Sequence, residues 1–203
     1  MSANGDTLLW SQANNLQGVN FSKNGTQFTR AQGVPDGAVI ASDKLNNTVF
    51  YAGSPTNAAF YISVDGGETF TQASFLGSAN AIREIAASPF TAGEIFVSTS
   101  RGVWYSSDYG SSFLGLPEAT EAWSLSVGAP KNNNSRPALY AAAKVAEVNS
   151  LYRTEDLGQT WNKLPSAQKG LASASGMVLA ADPNVYSQVF VGAGGRGVWV
   201  GHA

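Results

Sequence analysis

Ser63-Val64-Asp65-Gly66-Gly67-Glu68-Thr69-Phe70 is one of three octapeptides built to one plan. The others are Ser106-Ser107-Asp108-Tyr109-Gly110-Ser111-Ser112-Phe113 and Thr154-Glu155-Asp156-Leu157-Gly158-Gln159-Thr160-Trp161. Each sets a hydroxyl residue two places before an Asp, then a Gly, then a second hydroxyl residue beside an aromatic. A tight hairpin asks for these groups: a carboxylate to accept backbone N–H bonds, a Gly where φ is positive, and a ring to bury beneath the turn. Asp65, Gly67 and Phe70, with Asp108, Gly110 and Phe113 and with Asp156, Gly158 and Trp161, are therefore read as structural residues. A turn carboxylate saturated by N–H groups has a lowered pKa and is a poor proton donor.

The pattern is the Asp-box, or BNR, repeat, and its spacing counts units. Asp65, Asp108 and Asp156 stand 43 and 48 residues apart, in or just above the range of a four-stranded blade. A degenerate copy, Ser22-Lys23-Asn24-Gly25-Thr26-Gln27-Phe28, is one residue shorter, with Asn24 lying 41 residues before Asp65. Two short apolar strands precede each full box, at 48–53 and 59–62, 94–98 and 102–105, and 138–141 and 150–153. A last pair, 188–192 and 197–201, has no box after it. Another strand stands upstream of these pairs at 37–41, 82–86, 123–127 and 177–181, leading each time into a turn rich in Asp, Asn, Pro or Gly. The expected fold is all-β: a β-propeller or partial propeller of about five Asp-box-type units of antiparallel strands, at 1–35, 36–79, 80–120, 121–170 and 171–203, in a single domain. The end units are incomplete, so the ring either closes by borrowing strands across the ends or is part of a larger one, propellers commonly having about four to eight blades.

Composition agrees with a turn-rich β protein, since the chain has 22 Gly, 11% aromatic and only 13% charged residues. A net charge of −2 with scattered Lys and Arg argues against a nucleic-acid partner, which needs a basic face. No apolar run reaches transmembrane length, so no membrane partner is expected, and the N-terminus has no basic and apolar signal region. Cysteine is absent and His202 is the single histidine, which excludes thiolate or multi-histidine metal sites and a Ser/His/Asp triad. Neither metal nor cofactor is expected. Sequons at Asn20-Phe21-Ser22, Asn24-Gly25-Thr26, Asn46-Asn47-Thr48 and Asn133-Asn134-Ser135 permit N-glycosylation on a secretory route.

Three longer runs carry a more specific resemblance. They are residues 37–44 with 47–53, residues 102–113, and the ending Val189-Phe190-Val191-Gly192-Ala193-Gly194-Gly195-Arg196-Gly197-Val198-Trp199-Val200-Gly201. Together they resemble the C-terminal part of glycoside hydrolase family 74, the xyloglucanases, in order along essentially the whole chain. The resemblance implies an extracellular protein and a part of an enzyme made of two seven-bladed propellers facing each other across a cleft. Such enzymes hydrolyse the β-1,4-glucan backbone of xyloglucan with inversion, which takes one carboxylic acid and one carboxylate with room for water between them. The resemblance places both aspartates ahead of the region matched here, so no catalytic residue is assigned in this chain. The implied partners are plant cell-wall xyloglucan or its oligosaccharides, and an N-terminal propeller or a second copy of the chain.

The remaining carboxylates, Asp6, Asp36, Asp43, Asp182, Glu84, Glu118, Glu121 and Glu155, show no pairing by spacing. Arg83, Arg101, Arg153 and Arg196 lack the Tyr/Glu nucleophile pairing of a sialidase. Sugars stack their C–H faces on aromatic rings at loop mouths, which singles out Trp123, at the start of an innermost strand, then Trp10 and Tyr109. Trp104 and Trp199 occupy equivalent strand positions and are expected to pack between units. Arg196, on the hairpin Gly194-Gly195-Arg196-Gly197, is a candidate donor to a sugar hydroxyl; the glycine run joins two strands and is no phosphate cradle. Three functions remain open: a glucan-binding or scaffold segment, a functional xyloglucanase completed by a partner or a missing region, and a non-catalytic interaction propeller.

Overall fold

The computed structural model describes residues 1–11, 18–77, 81–164, 174–193 and 197–202. They form five antiparallel sheets in which each strand pairs with its neighbour in sequence. The first sheet holds β1 (Leu8–Ser11), β2 (Val19–Ser22) and β3 (Thr29–Arg30), and the second β4 (Val39–Ser42), β5 (Phe50–Gly53), β6 (Ala59–Ser63) and β7 (Thr71–Phe75). The third holds β8 (Ile82–Ala87), β9 (Ile95–Thr99), β10 (Gly102–Ser106) and β11 (Leu114–Gly115). The fourth is β12 (Ala119–Pro130), β13 (Pro137–Val145), β14 (Val148–Thr154) and β15 (Asn162–Lys163), and the fifth β16 (Met177–Ala181), β17 (Gln188–Ala193) and β18 (Val198–His202).

The second strands of the three middle sheets are buried almost throughout because both of their faces are covered. In β5, Phe50 and Ala52 point into the core shared with the first sheet, while Tyr51 points into the core shared with the third. The third and fourth sheets meet through Phe96, Val103, Leu125, Leu139 and Ala141, and the fourth and fifth through Tyr140, Ala142, Leu179 and Val191. The outer strands β11 and β15 bury nothing and stay exposed.

The three octapeptides form the same turn. The hydroxyl of Ser63, Ser106 or Thr154 accepts the N–H of Gly67, Gly110 or Gly158, each at 2.9 Å. It also donates to the Asp two places on, at 2.7, 2.7 and 2.8 Å. The carboxylate then accepts the N–H and the hydroxyl of Thr69, Ser112 or Thr160. Gly110 has a φ of 81°, and a Cβ on it would stand 2.2 Å from the ring of the buried Phe60. In the shorter copy, Asn24 Oδ1 accepts the N–H groups of Thr26 and Gln27 at 2.9 and 3.0 Å.

The expected propeller is not found: the five sheets remain separate, and none closes into a propeller or barrel. They pack face to face in a row, first to second through to fifth. The reason lies in the two terminal faces. Trp10 on β1 is 59% exposed, and Val198 and Val200 on β18 are 72% and 54% exposed. Each end sheet thus buries one face only, and a closed ring would need both.

Candidate functional site

Two β-bulges build the most distinctive surface. In β8, Ile82 pairs with Thr99 and Glu84 with Ser98, leaving Arg83 as the extra residue. In β12, Ala122 pairs with Ala143 and Ser124 with Ala142, leaving Trp123 as the extra residue. A bulge breaks the strict alternation of a strand and re-aims one side chain. Here the first strands of adjacent sheets carry bulges near the same end, and the two re-aimed side chains meet. The Arg83 guanidinium carbon lies 5.6 Å from the centroid of the Trp123 ring. Arg83 Nη2 donates to Glu121 Oε1 at 2.7 Å and Nη1 to the Ala122 carbonyl at 3.1 Å.

The Arg83–Glu121 ion pair is about a third exposed, so it is worth ~0–1 kcal/mol. The cation–π contact adds about 0.5–1 kcal/mol. Trp123 is half-buried against the core between the fourth and fifth sheets. Its neighbour Arg83 covers part of the ring, so the cluster offers a partly shielded indole together with guanidinium donors and a carboxylate acceptor. Such a group suits the mixed apolar and hydroxyl surface of a saccharide.

Further along the same strands, a groove of about 370 Å³ is lined by Lys44, Glu84, Leu125, Ser126, Val127 and Leu179 among others. Among the described residues, Glu84 is the one acidic side chain that lines it. The Leu125 N–H donates to Glu84 Oε2 at 2.8 Å. Burial pushes the Glu84 carboxyl up, against the opposing hydrogen bonds from the Ser124 hydroxyl and the Leu125 N–H. Glu121, the nearest carboxylate of the cluster in sequence, is tied to Arg83.

The other expected site residues are scattered. Trp10 stands exposed on β1, its ring edge-on to Phe28 with centroids 6.3 Å apart. Tyr109 is turned inward: its ring lies over Gly93 and its N–H donates to the Gly93 carbonyl at 3.1 Å, within the packing of the second and third sheets. Arg196 lies outside the described residues. Phe70 is buried, Phe113 meets Phe60 edge-on at 5.0 Å, and Trp161 Nε1 donates to the Pro117 carbonyl at 2.9 Å. Burial pushes Asp65 and Asp156 up, but the hydroxyl and N–H bonds of Thr69 and Thr160 outweigh it and leave both carboxyls low; the Ser112 hydroxyl and N–H lower Asp108. Among the described residues, no group of three acidic, His or Cys side chains is placed to hold a metal ion. The sequence offers Arg83, Glu84 and Glu121 as charged residues, but the bulge that brings Arg83 to Trp123 leaves no local signal.

No family model matches the chain. It is 41% identical over 199 residues to a xyloglucanase of Hypocrea jecorina, covering 98% of this chain and 23% of the relative. It is 29% identical over 206 residues to a xyloglucanase of a Paenibacillus species, covering 98% of this chain and 20% of that one. The chain therefore spans between a fifth and a quarter of the length of these curated relatives. Among solved structures, the family 74 xyloglucanase from Xanthomonas campestris superposes with a TM-score of 0.84 at 23% identity, over 98% of this chain and 28% of that one. The family 74 enzyme of Niastella koreensis gives 0.81 at 24% identity, over 100% and 30%. The chain is homologous in sequence and structure to a family 74 xyloglucanase domain. The resemblance read from sequence is corrected in one respect: the Asp-box propeller it implied is absent, because the sheets are not closed.

Proposed function

We propose that this chain is a portion of an extracellular xyloglucan-hydrolysing enzyme, and that its own share is to hold the glucan while residues elsewhere in the protein cleave it. The observation that carries this reading is the 41% identity, sustained over 98% of the chain, to a xyloglucanase of which it spans 23%. The chemistry of the site is consistent with it. Inverting hydrolysis needs two carboxyl groups roughly 6.5–9.5 Å apart with a water between them. Glu84 is alone in its groove, Glu121 is held by Arg83, and Asp65, Asp108 and Asp156 are saturated by their own turns. The acid and base are therefore assigned to the remainder of the enzyme. Trp123, with Arg83 and Glu121 beside it, is the favoured glucan contact, and Trp10 is a second exposed ring.

Two measurements test this. The chain alone and a longer protein containing it are assayed for reducing sugar released from xyloglucan, and the Trp123→Ala variant is made in both. The chain alone is expected to bind xyloglucan oligosaccharides at millimolar concentration without turnover. In the longer protein, Trp123→Ala is expected to raise KM several-fold with little change in kcat. Turnover by the isolated chain that Glu84→Gln abolishes would overturn the division of labour. A wild-type KM in Trp123→Ala would remove Trp123 from the site.

A further inference from the structure

The four sequons have no part in the function above, and the fold treats them differently. N-glycosylation joins Asn Nδ2 to C1 of a lipid-linked oligosaccharide: the C1–O bond to the lipid diphosphate breaks and an amide proton is released. Transfer takes place on the unfolded chain, so the native structure decides which sequons can retain a glycan. The amide must face water, and neither it nor the hydroxyl two places on can be required inside.

Asn20 fails this requirement. It is half-buried on the central strand β2, paired with Trp10 on one side and Arg30 on the other, and its Nδ2 donates to the Gly18 carbonyl at 3.5 Å. Its sequon partner Ser22 is 1% exposed. Asn46 is half-buried, and its Oδ1 accepts both the N–H and the hydroxyl of Thr48, at 3.2 and 3.1 Å. Asn24 is exposed, and its Oδ1, which a glycan on Nδ2 would leave in place, accepts the N–H groups of Thr26 and Gln27.

Asn133 is in a different situation. It sits exposed on the turn between β12 and β13, and its side chain makes no hydrogen bond among the described residues. The turn is closed by the preceding residue instead. Asn132 Oδ1 accepts the Asn134 N–H at 3.0 Å, and the Asn132 carbonyl accepts the Ser135 N–H at 3.0 Å. A substituent on Asn133 Nδ2 therefore disturbs no bond that the turn needs. The turn also lies at the far end of β12 from Trp123; at about 3.3 Å per residue, the strand from Trp123 to Pro130 spans roughly 23 Å. Bulk at Asn133 leaves the Arg83–Trp123 cluster clear.

We propose that Asn133 carries an N-linked glycan and that Asn20 does not. The inference rests on the extracellular reading, so the test imposes secretion and does not depend on where the native protein resides. The chain is secreted from a yeast behind a heterologous signal peptide, treated with endoglycosidase H and mapped by mass spectrometry. The peptide containing Asn133 should retain a single N-acetylglucosamine. Asn133→Gln should lose it, with an unchanged unfolding midpoint. If secretion fails, translation into microsomes of wild type beside Asn133→Gln reads occupancy of Asn133 as the loss of one gel-shift step. A bare Asn133 in either system, or a glycan on Asn20 in the folded secreted protein, would overturn the proposal.

Discussion

The carboxylate of Asp43 accepts the backbone N–H of Gly93 at 2.8 Å, joining a turn of the second sheet to a turn of the third. The same carboxylate accepts the Tyr51 hydroxyl at 2.7 Å and the N–H groups of Leu45 and Asn46 at 2.9 and 2.8 Å. Asp43 and Tyr51 are both fully buried. Truncation would leave the Tyr51 hydroxyl and the Gly93 N–H without an acceptor, each costing ~1–3 kcal/mol. Asp43→Ala is therefore expected to lose about 3–5 kcal/mol in urea unfolding. A midpoint equal to wild type would show that water replaces the carboxylate.

Asp43 also has a definite acid signature. Burial pushes its carboxyl up, but the Gly93, Tyr51, Leu45 and Asn46 donors prevail and hold it below its usual range. Its contribution is complete at neutral pH and is lost as pH falls from the unfolded carboxyl value, 3.8, through the lower folded one. Unfolding midpoints followed from neutral pH to below that value should fall more steeply for wild type than for Asp43→Ala.

Glu84 titrates in the opposite sense. Its folded pKa is raised above 4.5, so over the interval between the two values the native state binds more protons and stability falls as pH rises. Gln copies the protonated form and keeps an acceptor for the Leu125 N–H. Glu84→Gln should be more stable than wild type at neutral pH, and the advantage should vanish in acid below the unfolded value. Parallel melting curves at both ends of that range would count against a buried, proton-holding carboxyl.

Two glycines separate backbone strain from collision. Gly66 has a φ of 85° with nothing within 4 Å of a built Cβ, whereas Gly102 has a φ of 97° and a Cβ there would stand 2.1 Å from the Ala119 carbonyl oxygen. Gly66→Ala should cost about 1–2 kcal/mol for the left-handed backbone alone. Gly102→Ala should cost about 1–3 kcal/mol more, because backbone must move to admit the methyl group. Equal losses would mean that β12 yields freely at its start.

The turn aspartates should separate stability from chemistry. Asp108→Asn removes a charged acceptor from the Ser112 N–H and hydroxyl, bonds worth about 1.5–3 kcal/mol when the acceptor is ionised and less at this exposed turn. In a longer protein of the kind proposed above, kcat on xyloglucan should match wild type while the melting temperature drops. A fall in kcat with an unchanged melting temperature would return Asp108 to the chemistry.

Much of the local structure is legible in the chain. The hydroxyl–Asp–Gly–hydroxyl–aromatic runs name their own turn partners because the hydroxyl and carboxylate bonds that close those turns span two to four residues. The apolar run Phe50-Tyr51-Ala52 marks a strand covered on both faces. The upstream strand at 123–127 is found within β12, which begins earlier, at Ala119. Tyr109 looks accessible in the sequence because it stands in a loop; its packing over Gly93 follows only from the meeting of the second and third sheets.

The sequence by itself determined the apolar strand pairs ahead of the three boxes and the turns that the boxes form, since these depend on short-range hydrogen bonding and on alternation along single strands. Only the tertiary structure decided the rest. A bulge exists relative to a partner strand, so the meeting of Arg83 with Trp123 follows from pairing with residues 98–99 and 142–143. Whether five sheets make a ring or a row depends on which faces find a cover. Trp10 at one end and Val198 at the other remain open to water, an outcome of sheet-on-sheet packing that no local pattern encodes.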